Sequence, residues 1–163
     1  MILNLKEFIK EGLGRTLFIF DIDDTLFKTH ARVFVKDSRG KIIDYLNSQD
    51  FASHKLLPGQ SYEFSEFSDS GIFDRTSRPI NPMIEKVKFF QRSIPDTSDI
   101  IFITARADFD DRDKFLEVFR KKNIDIDKIH IYRVGNDHGP ESGAVKKTKV
   151  VRNYLGTDRY DDV

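Results

Sequence analysis

The chain has 163 residues, a length that fits one domain with room for an inserted subdomain, and 39% hydrophobic residues including 15 Phe supply a sizeable core. Its 27 basic residues balance 27 acidic ones, which argues against a broad electrostatic footprint on nucleic acid or anionic lipid. With no cysteine, disulfides, thiolate catalysis and thiolate zinc sites are excluded; no apolar stretch reaches membrane-spanning length, and Lys6, Glu7, Lys10 and Glu11 are unlike a secretory signal, so a soluble cytoplasmic protein away from membranes is expected.

In chain order, Ile2, Leu5, Phe8 and Ile9 recur at helical spacing over residues 2–11, and Gly12 and Gly14 end that helix. Thr16 to Phe27 reads TLFIFDIDDTLF. Leu17 to Phe20 is a continuous apolar run, as in a strand covered on both faces. Residues 28–80 then interrupt the pattern. Arg32–Lys36 and Lys41–Leu46 read as two strands joined by an Asp37–Gly40 hairpin turn. Residues 50–80 are rich in Ser, Asp, Phe and Pro without a firm period, which predicts irregular packing. Asn81-Pro82 opens a helix to about Ser93, with Pro82 in the first turn. Ile100 to Ile103 is a second buried strand, ending at Thr104-Ala105-Arg106; a helix over 109–122, a strand over 129–134, a polar loop over 135–143 and a helix over 144–155 burying Val150, Val151, Tyr154 and Leu155 follow. Tyr160 to Val163 reads as the start of a fourth strand.

Strands alternating with helices predict an α/β fold with a doubly wound parallel sheet. Residues 1–27 and 81–163 would form the core, and 28–80 a hairpin-containing insertion. Because the insertion departs from the end of the first strand, it would lie over the carboxyl edge of the sheet, where such folds bind ligands. No repeat or low-complexity tract is present, and nothing in the sequence calls for an obligate protein partner.

Asp21, Asp23 and Asp24 crowd three carboxylates into four residues at the end of a buried strand. They repel one another, and a divalent cation relieves that repulsion; Mg²⁺ takes oxygen ligands from one or two carboxylates plus phosphate. An acidic turn that merely leaves the sheet is the bland alternative. Thr104 either caps the next helix or offers its hydroxyl to a ligand. Arg106 and Arg112 are candidates for contacting phosphate, and Arg112 equally an ordinary solvated charge. Among Lys146, Lys147 and Lys149, Lys147 shares the inward face of Val150 and Val151, with Lys146 the second choice and Lys149 pointing elsewhere. His30, His54, His130 and His138 have no metal-ligand spacing.

The order of four apolar residues, Asp-x-Asp-x-Thr and Leu26-Phe27, followed later by IIFIT and the VKK of the last helix, resembles the haloacid dehalogenase (HAD) superfamily of phosphatases. The likeness covers residues 16–27 and 98–160. TAR at the second strand, Arg112 with FLEVF, and VKK are similar to the phosphatase domain of polynucleotide kinase 3′-phosphatases. The resemblance implies a HAD-like, Rossmannoid core with residues 28–80 as a flap or cap. It implies a Mg²⁺-dependent phosphomonoesterase in which Asp21 forms an aspartyl-phosphate and Asp23 serves as acid and base. Thr104, Arg106 and Lys147 would hold the phosphoryl group, and Asp21 with Asp23 the metal. The implied substrate is a small phosphorylated molecule, a nucleotide or nucleic-acid 3′-phosphate among the candidates. The superfamily also carries a later acidic pair at a strand end. Asp161-Asp162 lacks a preceding apolar run, so it reads as the lead-in to a last strand, with the pair itself expected beyond Val163.

Two other readings remain. A receiver-like aspartyl-phosphate switch also combines acid, Thr and Lys, but it splits its acidic residues between two strands and has no reason for the 28–80 insertion. A degenerate phosphate-binding relative is the second.

Overall fold

The computed structural model describes residues 15–94, 98–139, 141–157 and 159–163, so the helix expected over 2–11 lies outside the described residues. In chain order the elements are β1 (Leu17–Phe20), β2 (Phe27–Lys28), β3 (Val33–Lys36), β4 (Ile42–Leu46), α1 (Ser48–Ser53), β5 (Ser61–Glu63), α2 (Ser65–Ser68), α3 (Ser70–Thr76), β6 (Arg78–Pro79), α4 (Asn81–Ser93), β7 (Asp99–Thr104), α5 (Arg112–Arg120), β8 (His130–Arg133) and α6 (Gly143–Leu155). Single 3₁₀ turns cover Ile126–Lys128 and Val134–Asn136. No helix among the described residues is long and apolar enough to cross a membrane.

The apolar runs become parallel strands because both of their faces are buried. β1 pairs with β7 from Leu17↔Asp99 to Phe20↔Phe102, and β7 pairs with β8 from Ile101↔His130 to Thr104↔Arg133. Alternate side chains then serve opposite layers. Phe18, Phe20, Ile100, Phe102 and Ile131 pack with Ile84, Val87 and Phe90 of α4 and Phe115 and Phe119 of α5. Leu17, Ile19, Ile101, Ile103 and Tyr132 pack with Val150, Val151 and Tyr154 of α6. Leu155, expected on that buried side, is instead 54% exposed, because it falls in the last turn of α6 beyond the strands' reach. α5 begins later than its apolar spacing suggested: the Asp111 side chain accepts the Lys114 N–H at 3.0 Å and sets the first turn there.

The peptide joining Thr16 and Leu17 fixes the place of the C-terminal residues. Its carbonyl accepts from Asp99 on the β7 side, and its N–H donates to the Asp162 carbonyl on the opposite side, both at 3.0 Å. Asp162 therefore bridges Thr16 in parallel sense at the free edge of β1.

Residues 28–80 leave and return through a short antiparallel pair, Phe27↔Pro79 and Lys28↔Arg78. Between these lies an antiparallel sheet in the order β4-β3-β5. Its turn is built by Asp37, whose carboxylate accepts the N–H groups of Arg39 and Lys41 at 2.9 Å, with Gly40 at φ 78°. The stretch expected to be irregular contains α1, β5, α2, α3 and β6. Caps rather than periodicity start two of these helices: Asn47 accepts from the Gln49 and Asp50 N–H groups, and Asp69 from the Ile72 N–H at 2.7 Å. Phe73 of α3 belongs to the main core, with its ring 5.4 Å from Phe27 and 5.2 Å from Phe115, so the core reaches into the sequence of the insertion. α2 and α3 meet the loop after β7 through Asp110 N–H to the Ser68 carbonyl and Ser70 N–H to the Asp110 carboxylate.

Glu66 ties α2 to the approach to β3. Its carboxylate accepts the Arg32 backbone N–H at 2.7 Å and the guanidinium at 2.6 and 3.1 Å. Burial works to raise this carboxyl, but the Arg32 hydrogen bonds and charge outweigh burial and hold it below the ordinary carboxylate range. The stabilisation is therefore complete above about pH 4.3 and is lost as pH falls through the lower folded value. Glu66→Gln is expected to lower the thermal midpoint at neutral pH and to flatten its acid limb, as measured by thermal unfolding between about pH 3 and 7. An acid limb as steep as in the parent chain would mean that other carboxylates dominate.

Candidate active site

The loop after β1 is pinned by its apolar members. Ile22, Leu26 and Phe27 are fully buried, and the Ile22 carbonyl accepts from both the Leu26 and Phe27 N–H groups at 3.0 Å. Asp24 makes the turn at φ 55°, a left-handed conformation that Asp tolerates better than most residues. With Ile22 committed to the core, its neighbours Asp21 and Asp23 emerge together at the carboxyl end of the parallel sheet.

Asp21 keeps a side chain 37% exposed. One carboxylate oxygen accepts the Ile22 N–H at 2.8 Å, and the other accepts from the Lys147 ammonium at 2.5 Å. Lys147 lies in the second turn of α6. Lys146 instead donates to the Asp137 carbonyl, and Lys149 pairs with Glu141. Thr104, at the end of β7, is fully buried; its hydroxyl donates to Asp23 Oδ2 at 3.3 Å and accepts the Arg106 N–H at 3.1 Å.

Arg106 follows Thr104 and turns its side chain onto Asp23. As a candidate for contacting phosphate it is deeply placed: its side chain is 1% exposed. Nε reaches both Asp23 oxygens at 3.0 Å, and one terminal nitrogen bonds Asp23 Oδ1 at 2.7 Å and the Thr29 hydroxyl at 2.8 Å. The other terminal nitrogen donates to the Phe67 carbonyl at 2.8 Å. The guanidinium also lies 4.8, 5.0 and 5.5 Å from the ring centres of Phe67, Phe73 and Phe109. Its planar fork matches a carboxylate, so Asp23 captures it before solvent does. Arg112 lies apart from this group, in a pocket between α5 and β8.

Gly135 and Thr29 belong to the site's support and carried no signal in the sequence reading. A Cβ on Gly135 would lie 2.4 Å from the Ala105 carbonyl oxygen, 2.5 Å from the Ala107 nitrogen and 2.6 Å from the Arg106 carbonyl carbon. Its N–H donates to the Arg106 carbonyl at 3.2 Å. The hint available was a glycine directly after a predicted strand, a position that allows close backbone approach.

The oxygen donors of the crevice suit Mg²⁺: the partly open Asp21 carboxylate, and the Asp23 carbonyl, which accepts no backbone hydrogen bond among the described residues. No cluster of three His, Cys, Asp or Glu side chains able to hold a metal occurs among the described residues. Asp161 and Asp162 stand at the opposite end of the sheet. Asp161 binds the Arg15 N–H at 2.7 Å, and Asp162 is level with Thr16, about 16 Å from Asp21 at the rise of a strand. A cavity of about 570 Å³ also lies at that far end, near Lys88, Gln91 and Asp99, and shares no residue with the crevice.

Gly135→Ala should force the Ala105–Ala107 backbone aside, lowering stability by about 1–3 kcal/mol in denaturant unfolding. Gly143→Ala, whose Cβ would meet only the Ala105 methyl at 3.4 Å, should stay within about 0.5 kcal/mol. Equal effects would show that the close approach at Gly135 is not constraining. No protein-family model, curated protein or solved structure matches this chain.

Proposed function

We propose that this chain is a Mg²⁺-dependent phosphomonoesterase of the HAD type, with a doubly wound core and residues 28–80 as a cap over the crevice. One observation carries the reading: Asp21, bonded to Lys147 at 2.5 Å, stands beside Asp23, which Thr104 and Arg106 hold from the other side. Nucleophile, proton carrier and cation thus meet where two parallel strands end.

Asp21 supplies the attacking oxygen. Its Oδ2 forms a bond to phosphorus as the ester P–O bond breaks, giving an aspartyl-phosphate. The Lys147 ammonium offsets charge on the equatorial oxygens, and Thr104 holds Asp23 beside them through its hydroxyl. Asp23 protonates the leaving oxygen and then takes a proton from the water that opens the acyl phosphate. Its Oδ2 is the oxygen suited to this exchange, because Oδ1 carries the shorter 2.7 Å guanidinium bond. When bound by the Asp21 carboxylate and the Asp23 carbonyl, Mg²⁺ would neutralise charge on the phosphoryl oxygens. Arg106 acts as a positioning residue: it fixes the Asp23 rotamer and ties it to the cap through Thr29 and the Phe67 carbonyl. Substrate choice would reside in that cap, with a small phosphorylated molecule, such as a nucleotide or a nucleic-acid 3′-phosphate, as substrate.

The tight Arg106–Asp23 pairing also favours a second reading, an aspartyl-phosphate switch whose adduct persists because Asp23 activates water poorly.

Turnover of an aryl phosphate is expected with Mg²⁺ and to cease with EDTA. Asp21→Asn should lower kcat by about 10³-fold or more, and Lys147→Ala by about 10²-fold, with folded spectra retained. Turnover indifferent to chelator and to Asp21→Asn would overturn the mechanism. Arg106→Gln should lower kcat by about 10²-fold with little change in KM, as expected of lost positioning rather than lost binding. A trapped, long-lived phospho-adduct in the parent chain would decide for the switch.

A further inference from the structure

Arg133 closes β8 directly across from Thr104. By strand alternation it shares the face of Ile131, which packs into the core that includes α5. Its guanidinium passes 5.9 Å from the Phe115 ring centre and lines a pocket of about 170 Å³ with Arg112, Leu116, Asp127 and Ile131. Only 15% of the Arg133 side chain is exposed. One terminal nitrogen donates to the exposed Asp108 carboxylate at 3.2 Å. Its Nε is buried and has no acceptor; among the described residues only the Ser77 hydroxyl shares that condition. Buried donors normally find a partner, so this one marks a place where an acceptor belongs.

The rest of the pocket fits an anion. Arg112, the first residue of α5, adds a second guanidinium charge to the same space. His130 lies on the rim. Asp127 is the opposing charge, but both of its oxygens are taken by Arg120, at 2.8 and 3.3 Å. The volume equals only a few waters at about 30 Å³ each, enough for a tetrahedral oxyanion and too little for a nucleoside.

We propose that the α5–β8 pocket is a second anion site, holding one phosphate-class oxyanion between Arg112 and Arg133. The site lies one strand beyond Thr104, on the side of the sheet away from Asp21, and it stands whether or not the crevice hydrolyses esters. The ligand is either free phosphate or the phosphodiester of a larger molecule, since both present the same oxygens to a guanidinium fork.

The Arg133 Nε–H resonance of ¹⁵N-labelled protein reports directly on the pocket. Inorganic phosphate is expected to shift it saturably, on a curve separate from the Thr104 and Ala105 amides of the crevice. Arg112→Gln should weaken that response by about tenfold, with Arg112→Lys intermediate and aryl-phosphate turnover unchanged. A dinucleoside monophosphate that moves the same resonance identifies esterified phosphate as the ligand, whereas a response to inorganic phosphate alone identifies the free ion; either supports the site. Silence of Arg133 toward both probes, or an unaltered response in Arg112→Gln, overturns it. Loss of turnover with the Arg133 response intact would instead count against the phosphoesterase reading alone.

Discussion

The arrangement of this protein depends on one buried cation. Arg106 joins three parts of the chain that are far apart in sequence: Asp23 after β1, Thr29 at the start of the insertion, and the Phe67 carbonyl in α2. Three aromatic rings surround it. A charge so placed is tolerable only when every nitrogen is satisfied, and removal of one partner of such a pair typically costs about 3–5 kcal/mol. The energetic demand of the arginine therefore becomes a geometric demand on its neighbours. Asp23 has one rotamer, and the insertion has one seat.

The parallel sheet supplies the frame within which this clamp works. Phe20 ends β1 opposite Phe102 while β7 continues to Thr104, so Thr104 stands beside the loop that leaves β1. Gly135 brings the segment after β8 against the backbone of Ala105 to Ala107, where any side chain would collide. The crevice floor is thus set by backbone packing on one side and by the buried Ile22 and Leu26 on the other. Asp21 and Thr104 stand at strand ends and Lys147 on a helix, so their mutual distances are set by regular elements.

Two arginines near the end of β7 have different fates. Arg106 meets Asp23 and is fully satisfied. Arg133, across from Thr104, meets only the exposed Asp108 and keeps a buried donor without acceptor.

Composition and local order alone determined the strands at Leu17–Phe20 and over 100–103, the hairpin turn at Asp37–Gly40, the helices at Asn81–Ser93 and over 144–155, and the inward direction of Lys147, each within one residue or so of the observed bounds. These are legible because each rests on a local rule: an unbroken apolar run for a strand with two covered faces, a turn dipeptide, or helical spacing from Lys147 to Val150 and Val151. The convergence of Asp21, Asp23, Thr104 and Lys147 was anticipated from motif order, and the distances among them belong to the tertiary structure. The short helices between Ser48 and Thr76 were not legible, because side-chain caps and aromatic packing start them rather than a repeating apolar face. The burial of Arg106 and the contacts of Thr29, Phe67 and Gly135 were likewise decided only on folding. Each depends on which distant group arrives within about 3 Å, and hydrogen-bond range leaves no trace in the spacing of residues along a chain.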